Sequence, residues 1–380
     1  MAFRSSPVVL GARALSRATL ARQMLLSREG GMSARDAVGH LVGLQAQNVK
    51  PPYFQLHARL AGFRPAELAG LMERREVVRM VTLRSTIHLH TAEDARALRG
   101  LVQGARDREV QQFRKGLVGV DLGRLEEVAR GVVEEAPRTM AELREALVAE
   151  WPEADPQALG VAARCRLPLV QVTPRGVWGR SGQVRLTTWE QWVGAGHSDS
   201  EGAARCDMEG VVLRYLRAFG PASVKDMQTW AGLTRLKEVF ERLRPELLVF
   251  RDEKGVELFD VPEAPRPDGG TPAPPRFLPE FDNVLLSHAD RSRIVPAELK
   301  GRTWKGNQAY CTLLVDGFLG GIWKFAEASG GGRDEARVVV ELFREVSAAQ
   351  RAEIVHEGES MLAAMTDAAR FSVEFGPIGG

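Results

Sequence analysis

The chain has 380 residues, with 51 lysines and arginines against 49 aspartates and glutamates, a formal net charge of +2. Hydrophobic content of 44% and charged content of 26% exclude a disordered or fibrous chain, and no apolar run approaches the ~20 residues that cross a bilayer as a helix. The length calls for several packed units.

The N-terminus, Met1-Ala2-Phe3-Arg4-Ser5-Ser6-Pro7-Val8-Val9-Leu10, has too short an apolar run before Arg13 to read as a signal peptide. Residues 1–60 hold eight bases (Arg4, Arg13, Arg17, Arg22, Arg28, Arg35, Lys50, Arg59) and two acids (Glu29, Asp36), so 8 − 2 = +6 locally. That asymmetry fits a one-sided surface for a polyanion or an ordinary solvated basic face, and charge alone does not separate the two. A first segment, about 14–92, opens with a helix near 16–27. Ser33 is a good N-cap for a helix to Leu44. Pro51-Pro52 and Pro65 each start a further helix. Val77–Leu83 and Ser85–His90 alternate as a β-ribbon.

A second segment, about 121–189, repeats that order. It has a helix over 122–135, a capping box at Thr139–Glu142 opening a helix to Ala149, and a helix over 157–166. A ribbon is expected from 168–172 and 176–179. A third, about 207–262, has helices over 208–219, 224–231 and 234–243, then strands 247–250 and 256–259 around Asp252-Glu253-Lys254-Gly255. Helix–helix–helix–ribbon three times is an internal repeat of winged-helix modules. Residues 261–276 are rich in proline and glycine and read as a linker. Strands at 312–315, 317–323 and 337–342 follow, with Ser329–Gly332 as a loop tip. A helix from Ser347 to Met365 closes the chain. The fold class is α+β. Its parts are winged helix 1 (1–100), winged helix 2 (101–200), winged helix 3 (201–262), a linker (263–276) and a β-rich C-terminal domain with a closing helix (277–380).

Cys165, Cys206 and Cys311 are far apart and form no Cys-x-x-Cys pattern, against a disulfide framework or a cysteine metal site. His88 and His90 alternate on a strand without an obvious third ligand. No metal and no cofactor is expected, and a reducing cytoplasm fits.

The most informative stretch is Gly43-Leu44-Gln45-Ala46-Gln47-Asn48-Val49-Lys50-Pro51-Pro52. An apolar helix end runs into two glutamines, and the prolines then force a break. Carboxamides can hold a water or a sugar oxygen as donor and acceptor, but they are not strong bases. With 14 glutamines in the chain, roughly 0.5 matches to Gln-x-Gln arise by chance, so the tripeptide gains weight only from its surroundings.

Those surroundings are Thr82-Leu83-Arg84-Ser85-Thr86-Ile87-His88-Leu89, Leu278-Pro279-Glu280-Phe281-Asp282-Asn283-Val284-Leu285-Leu286 and Gly317-Phe318-Leu319-Gly320-Gly321-Ile322-Trp323, in this order. With the glutamine motif, and over nearly the whole chain, they resemble the bacterial HTH_42 winged-helix family, which includes the AlkZ- and YcaQ-type DNA glycosylases that unhook interstrand crosslinks. The resemblance implies tandem winged helices in a C-shaped arrangement. It implies an AlkZ-like Gln-Φ-Gln motif at Gln45 and Gln47, with Ala46 a small Φ residue. It further implies hydrolysis of N7-alkylguanine, with self-resistance to an azinomycin-type crosslinker.

The partner is then double-stranded DNA bearing alkylated or crosslinked guanine. The protein would act as a monomer near the nucleoid, away from membranes. Gln45 and Gln47 are the expected catalytic pair. Lys50, Arg84, His88, Arg291, Arg293, Arg302, Trp304 and Lys305 are the expected DNA contacts. Glu280 and Asp282 look like a carboxylate pair, with a structural or channel-lining role favoured. Trp178, Trp189 and Trp192 read as packing residues. The alternatives are a non-catalytic winged-helix regulator and a protein-binding scaffold.

Overall fold

The computed structural model describes residues 8–194, 207–306, 308–326 and 335–378. The first seven residues, Cys206 and the expected loop tip at Ser329–Gly332 lie outside the described residues.

Helix ends fall where the local signals put them. Leu122–Glu135 and Met208–Phe219 have the predicted bounds. Asp121 and Asp207 cap them by accepting the backbone N–H of Arg124 and Gly210. Thr139 and Glu142 form the expected capping box before Met140–Glu150. The same device, with Ser347 and Gln350, opens Ala348–Met365.

Strand pairing departs further from the reading. Val77–Val81 and Ile87–Thr91 form the first ribbon. Leu169–Gln171 pairs with Leu186–Thr188, whereas Gly176–Gly179 is a turn with Gly176 and Gly179 at positive φ. Leu169–Gln171 also pairs with Val77–Val81, so the first two segments share one five-stranded sheet. Tyr53 explains the fate of the 176–179 turn: its hydroxyl donates to Gly176 O at 2.7 Å, and its ring lies 4.8 Å from that of Trp178.

The C-terminal sheet runs, edge to edge, Arg370–Phe375, Glu335–Leu342, Phe318–Phe325, Cys311–Val315 and Arg276–Leu278. The chain thus ends on a strand, not on the helix. Ala348–Met365 is the crossover that lets Arg370–Phe375 lie parallel to its neighbour. The inner face of this sheet joins the core of the first segment. Phe277, Trp323 and Val338 share one apolar cluster with Leu41, Leu44 and Leu56, and Phe54 lies 5.9 Å from Trp323.

The basic N-terminal segment is largely neutralised by the rest of the chain. Arg13 and Arg17 pair with Asp316, Arg22 with Asp260, Arg28 with Glu357, Arg35 with Glu93 and Arg59 with Asp282. The 261–276 stretch is held by the same arginines: Gly269 O accepts from Arg13, Thr271 O from Arg17 and Pro265 O from Arg22. Six of the eight bases counted between residues 1 and 60 are therefore paired, five of them with acids between residues 260 and 357 and Arg35 within its own segment. Among the described residues the local excess of positive charge does not form a free basic face.

Candidate active site

The helix Ala34–His40 stops before the glutamines. Val42 (φ 53°) and Gly43 (φ 97°) turn the chain left-handed. A Cβ on Gly43 would come within 2.1 Å of His90 Nδ1, so glycine is needed both for the turn and for the close approach. After the turn, Leu44–Gln45 is a short strand against Ile87–Thr91, with Gln45 opposite His88. Gln45 therefore stands on a sheet edge, with Gln47 in the bend just after it, and neither is at a helix end. The ladder continues through Ala46 N to Ile87 O at 2.8 Å. Gln45 and Ala46 are buried, and Gln47 lies exposed in the bend beyond the strand.

Two buried side chains fix this loop by its carbonyls. Arg79 Nη2 donates to Ala46 O at 2.7 Å, Nη1 to Asn48 O at 3.4 Å and Nε to Gln171 Oε1 at 3.1 Å. Gln55 Nε2 donates to Gln45 O at 3.1 Å. Arg79 is 1% exposed, and burial pulls its pKa down to about 10. Sequence reasoning missed both residues. An arginine inside the apolar strand Val77–Val81 was the available signal, because a buried charge must find acceptors.

The amide ends are held differently. Gln45 is buried, and its Oε1 accepts from Arg84 Nη2 at 2.6 Å. Gln47 is exposed, and its Oε1 accepts a long bond from Ile87 N at 3.4 Å. Arg84 also donates to Trp230 O and faces His88 Nε2 at 3.3 Å. Burial, then the cation of Arg291, lowers the Arg84 pKa to about 10. Its backbone is left-handed (φ 53°) and touches Gly232, where a Cβ would sit 2.9 Å from Arg84 Cα. The third segment thus supports the first ribbon at this point.

His88 is an internal group. Its Nδ1 lies 3.0 Å from Thr86 O, an acceptor, so Nδ1 carries the proton and Nε2 accepts from Arg84. Burial holds its pKa well below the usual histidine value, and the ring stays neutral. It stacks on His90 at 5.5 Å, and burial lowers the His90 pKa to about 4. Among the described residues no group of three His, Cys, Asp or Glu is placed to hold a metal ion.

The other expected residues are scattered around this centre. Lys50 is exposed at the start of the helix Pro51–His57. Arg291 is exposed. Arg293 is not available to DNA: it is buried and donates to Pro221 O at 2.8 Å and Thr19 Oγ1 at 3.3 Å. Trp304 and Lys305 form one strand of a hairpin, with Gln308–Ala309 as the other. Trp304 is 40% exposed and meets Phe281 edge-on at 5.6 Å. Arg302 lies over Phe343 at 4.2 Å. Asp282 forms a fully buried bidentate pair with Arg59 and caps Val284, so it is structural. Glu280 instead reaches the glutamine loop, where its Oε1 accepts from Asn48 Nδ2 at 2.9 Å. Trp189 is buried with its N–H on Ala92 O, and Trp192 lies under Arg75.

A model described as "DNA glycosylase AlkZ-like" matches residues 38–364, most of the chain and all of the site just described. The chain belongs to the AlkZ-like DNA glycosylase family. It is a DNA glycosylase with DNA as its substrate, a repair activity, and the regulator and scaffold readings fall away. The fold is also that of a solved structure, the Streptomyces sahachiroi DNA glycosylase AlkZ. The TM-score is 0.78 at 19% identity, over 97% of this chain and 100% of that one. No curated protein matches by sequence.

Proposed function

We propose that this AlkZ-like glycosylase hydrolyses the N-glycosidic bond of cationic N7-alkylguanine and leaves an abasic site. In this reading its substrates include interstrand crosslinks made by an azinomycin-type genotoxin, and Gln45 and Gln47 are the Gln-Φ-Gln pair of an AlkZ-like subtype. The reading has the three segments as winged-helix modules around a C-shaped channel, and the protein working as a monomer in the cytoplasm.

One observation carries the proposal: Gln45 ends a clamped strand, Gln47 follows in the bend just beyond it, where its amide oxygen meets Ile87 N, and the group bonded to Gln45 is a cation, not an acid or base. A neutral purine would need protonation to leave. An N7-alkylated guanine is already cationic and leaves as a neutral base. The enzyme then has only to place a water beneath C1′ and stabilise the oxocarbenium-like sugar. Gln45 and Gln47 do this with oriented amide dipoles, preorganisation taking the place of basicity. Arg84 and His88 keep the Gln45 amide in a single orientation.

A crosslinked base is tied to both strands and cannot swing into a deep pocket as in ordinary base flipping. A site that opens to solvent at Gln47, at the end of an edge strand, suits such a substrate. Lys50, Arg291, Arg302 and Lys305 contact phosphates, and Trp304 contacts the minor groove. The test is a duplex crosslinked through N7 of two guanines, followed on a denaturing gel. Conversion of the slow crosslinked band to single strands with alkali-labile sites is expected. A crosslink that persists while a 7-methylguanine monoadduct is released would contradict the unhooking part of the reading.

A further inference from the structure

Glu280 follows the strand Arg276–Leu278, at a turn where Phe281 has φ 63°, a conformation that L side chains seldom hold. Beyond the turn Asp282 is locked to Arg59, and before it Glu280 extends to the glutamine loop. Among the described residues both hydrogen-bond partners of its carboxylate are neutral. Asn48, next to Gln47, donates to Oε1 at 2.9 Å, and Cys311 Sγ donates to Oε2 at 3.2 Å. Burial first, and Glu280 second, keep the Cys311 thiol protonated.

This carboxylate lines an open cleft of about 830 Å³ between the glutamine loop and the C-terminal sheet. Phe281 and Tyr310 contribute partly exposed aromatic surface, and Lys305 and Lys324 are its exposed cations. A negative charge beside the reacting loop is unfavourable for a phosphate, whereas the exposed lysines favour one. A duplex presents phosphates outward and positive charge only at an N7-alkylated base or at the sugar during bond cleavage. Aromatic faces beside a carboxylate attract such a planar cation.

We infer that this cleft is a subsite for a planar, singly cationic ring of the damaged nucleotide, with Glu280 as its countercharge. The inference rests on the proposed chemistry at Gln45 and Gln47 and adds the group that selects for charge. Its occupant is either the alkylated purine or the sugar cation.

The test uses binding to uncleavable duplexes, separately from activity. One pair carries a cationic pyrrolidine or a neutral tetrahydrofuran abasic analogue. The other carries 2′-fluoro-arabino-7-methylguanine or 2′-fluoro-arabino-guanine. The native protein should prefer the cationic member of at least one pair by about tenfold, and Glu280→Gln should bring the ratio to within about twofold. Glu280→Asp, which keeps the charge, should retain most of the preference, with melting temperatures alike in all three proteins. The pair that responds identifies the occupant. A native ratio near one, or a ratio unchanged in Glu280→Gln, overturns the inference. Release of 7-methylguanine by the native protein would then leave the proposed function standing, and absence of release would mark failure of that function instead.

Discussion

At the scale of single residues, the account turns on how Gln45 is held. Its amide oxygen accepts from Arg84, a cation in a desolvated place whose pKa falls to about 10. Replacing Gln45 by alanine should lower single-turnover base release roughly 10²–10³-fold, the usual cost of losing one preorganised dipole. A rate within twofold of native would contradict its role. Arg84→Lys offers a sharper test, because lysine has a lower intrinsic pKa and the same site would push it down further. The native rate should be flat from about pH 7 to 9, while the lysine variant should lose activity as pH rises and its ammonium deprotonates. Parallel profiles would mean that the charge of Arg84 does not act through Gln45. The glutamines were put forward by the sequence itself, through the motif and its neighbours. Their clamps, Arg79 and Gln55, were not, since their targets are carbonyls that only the folded loop brings near.

At the scale of elements, local signals served well and distant ones did not. The capping residues Asp121, Thr139, Asp207 and Ser347 mark helix starts because the cap bonds only to its own first turn. The edge strand Leu44–Gln45 escaped notice because its identity comes from a partner some forty residues away. Leu186–Thr188 likewise becomes a strand by pairing with Leu169–Gln171, across a turn anchored by Tyr53 from the first segment. Gly43 was the clue within the sequence that the helix ends before the glutamines. Gly43→Ala should destabilise the protein by ~1–3 kcal/mol through left-handed strain and collision with His90, read as a lower urea midpoint. An unchanged midpoint would contradict the assigned turn.

At the scale of the whole molecule, ion pairing decides which bases are left for a partner. Long-range ion pairs, not DNA, absorb most N-terminal arginines. The remaining candidates are Lys50, Arg291, Arg302 and Lys305, so log affinity for duplex DNA should fall against log salt with a slope of about −3 to −4. Lys305→Gln should reduce that slope by about one, and Arg17→Gln should leave it unchanged. The reverse pattern would restore the N-terminal face as the DNA surface.

Burial also gives the molecule an acid limit. It depresses His40 and His88, and brings His57 and His288 to about 3 and His90 to about 4. The unfolded chain takes up these protons near pH 6.5 and the native one does so only lower, so stability is present above 6.5 and lost as pH falls below it. Each histidine contributes up to ~1.4 kcal/mol per pH unit in that window. A urea midpoint clearly lower at pH 5.5 than at pH 7.5 is expected, and equal midpoints would contradict neutral buried rings.

The most direct test of the central claim is single-turnover release of 7-methylguanine from a duplex, read as alkali-labile strand breaks. The native protein should release the base, and the Gln45→Ala/Gln47→Ala variant, with an unchanged melting temperature, should not. Equal release by both proteins would remove the two glutamines from the chemistry.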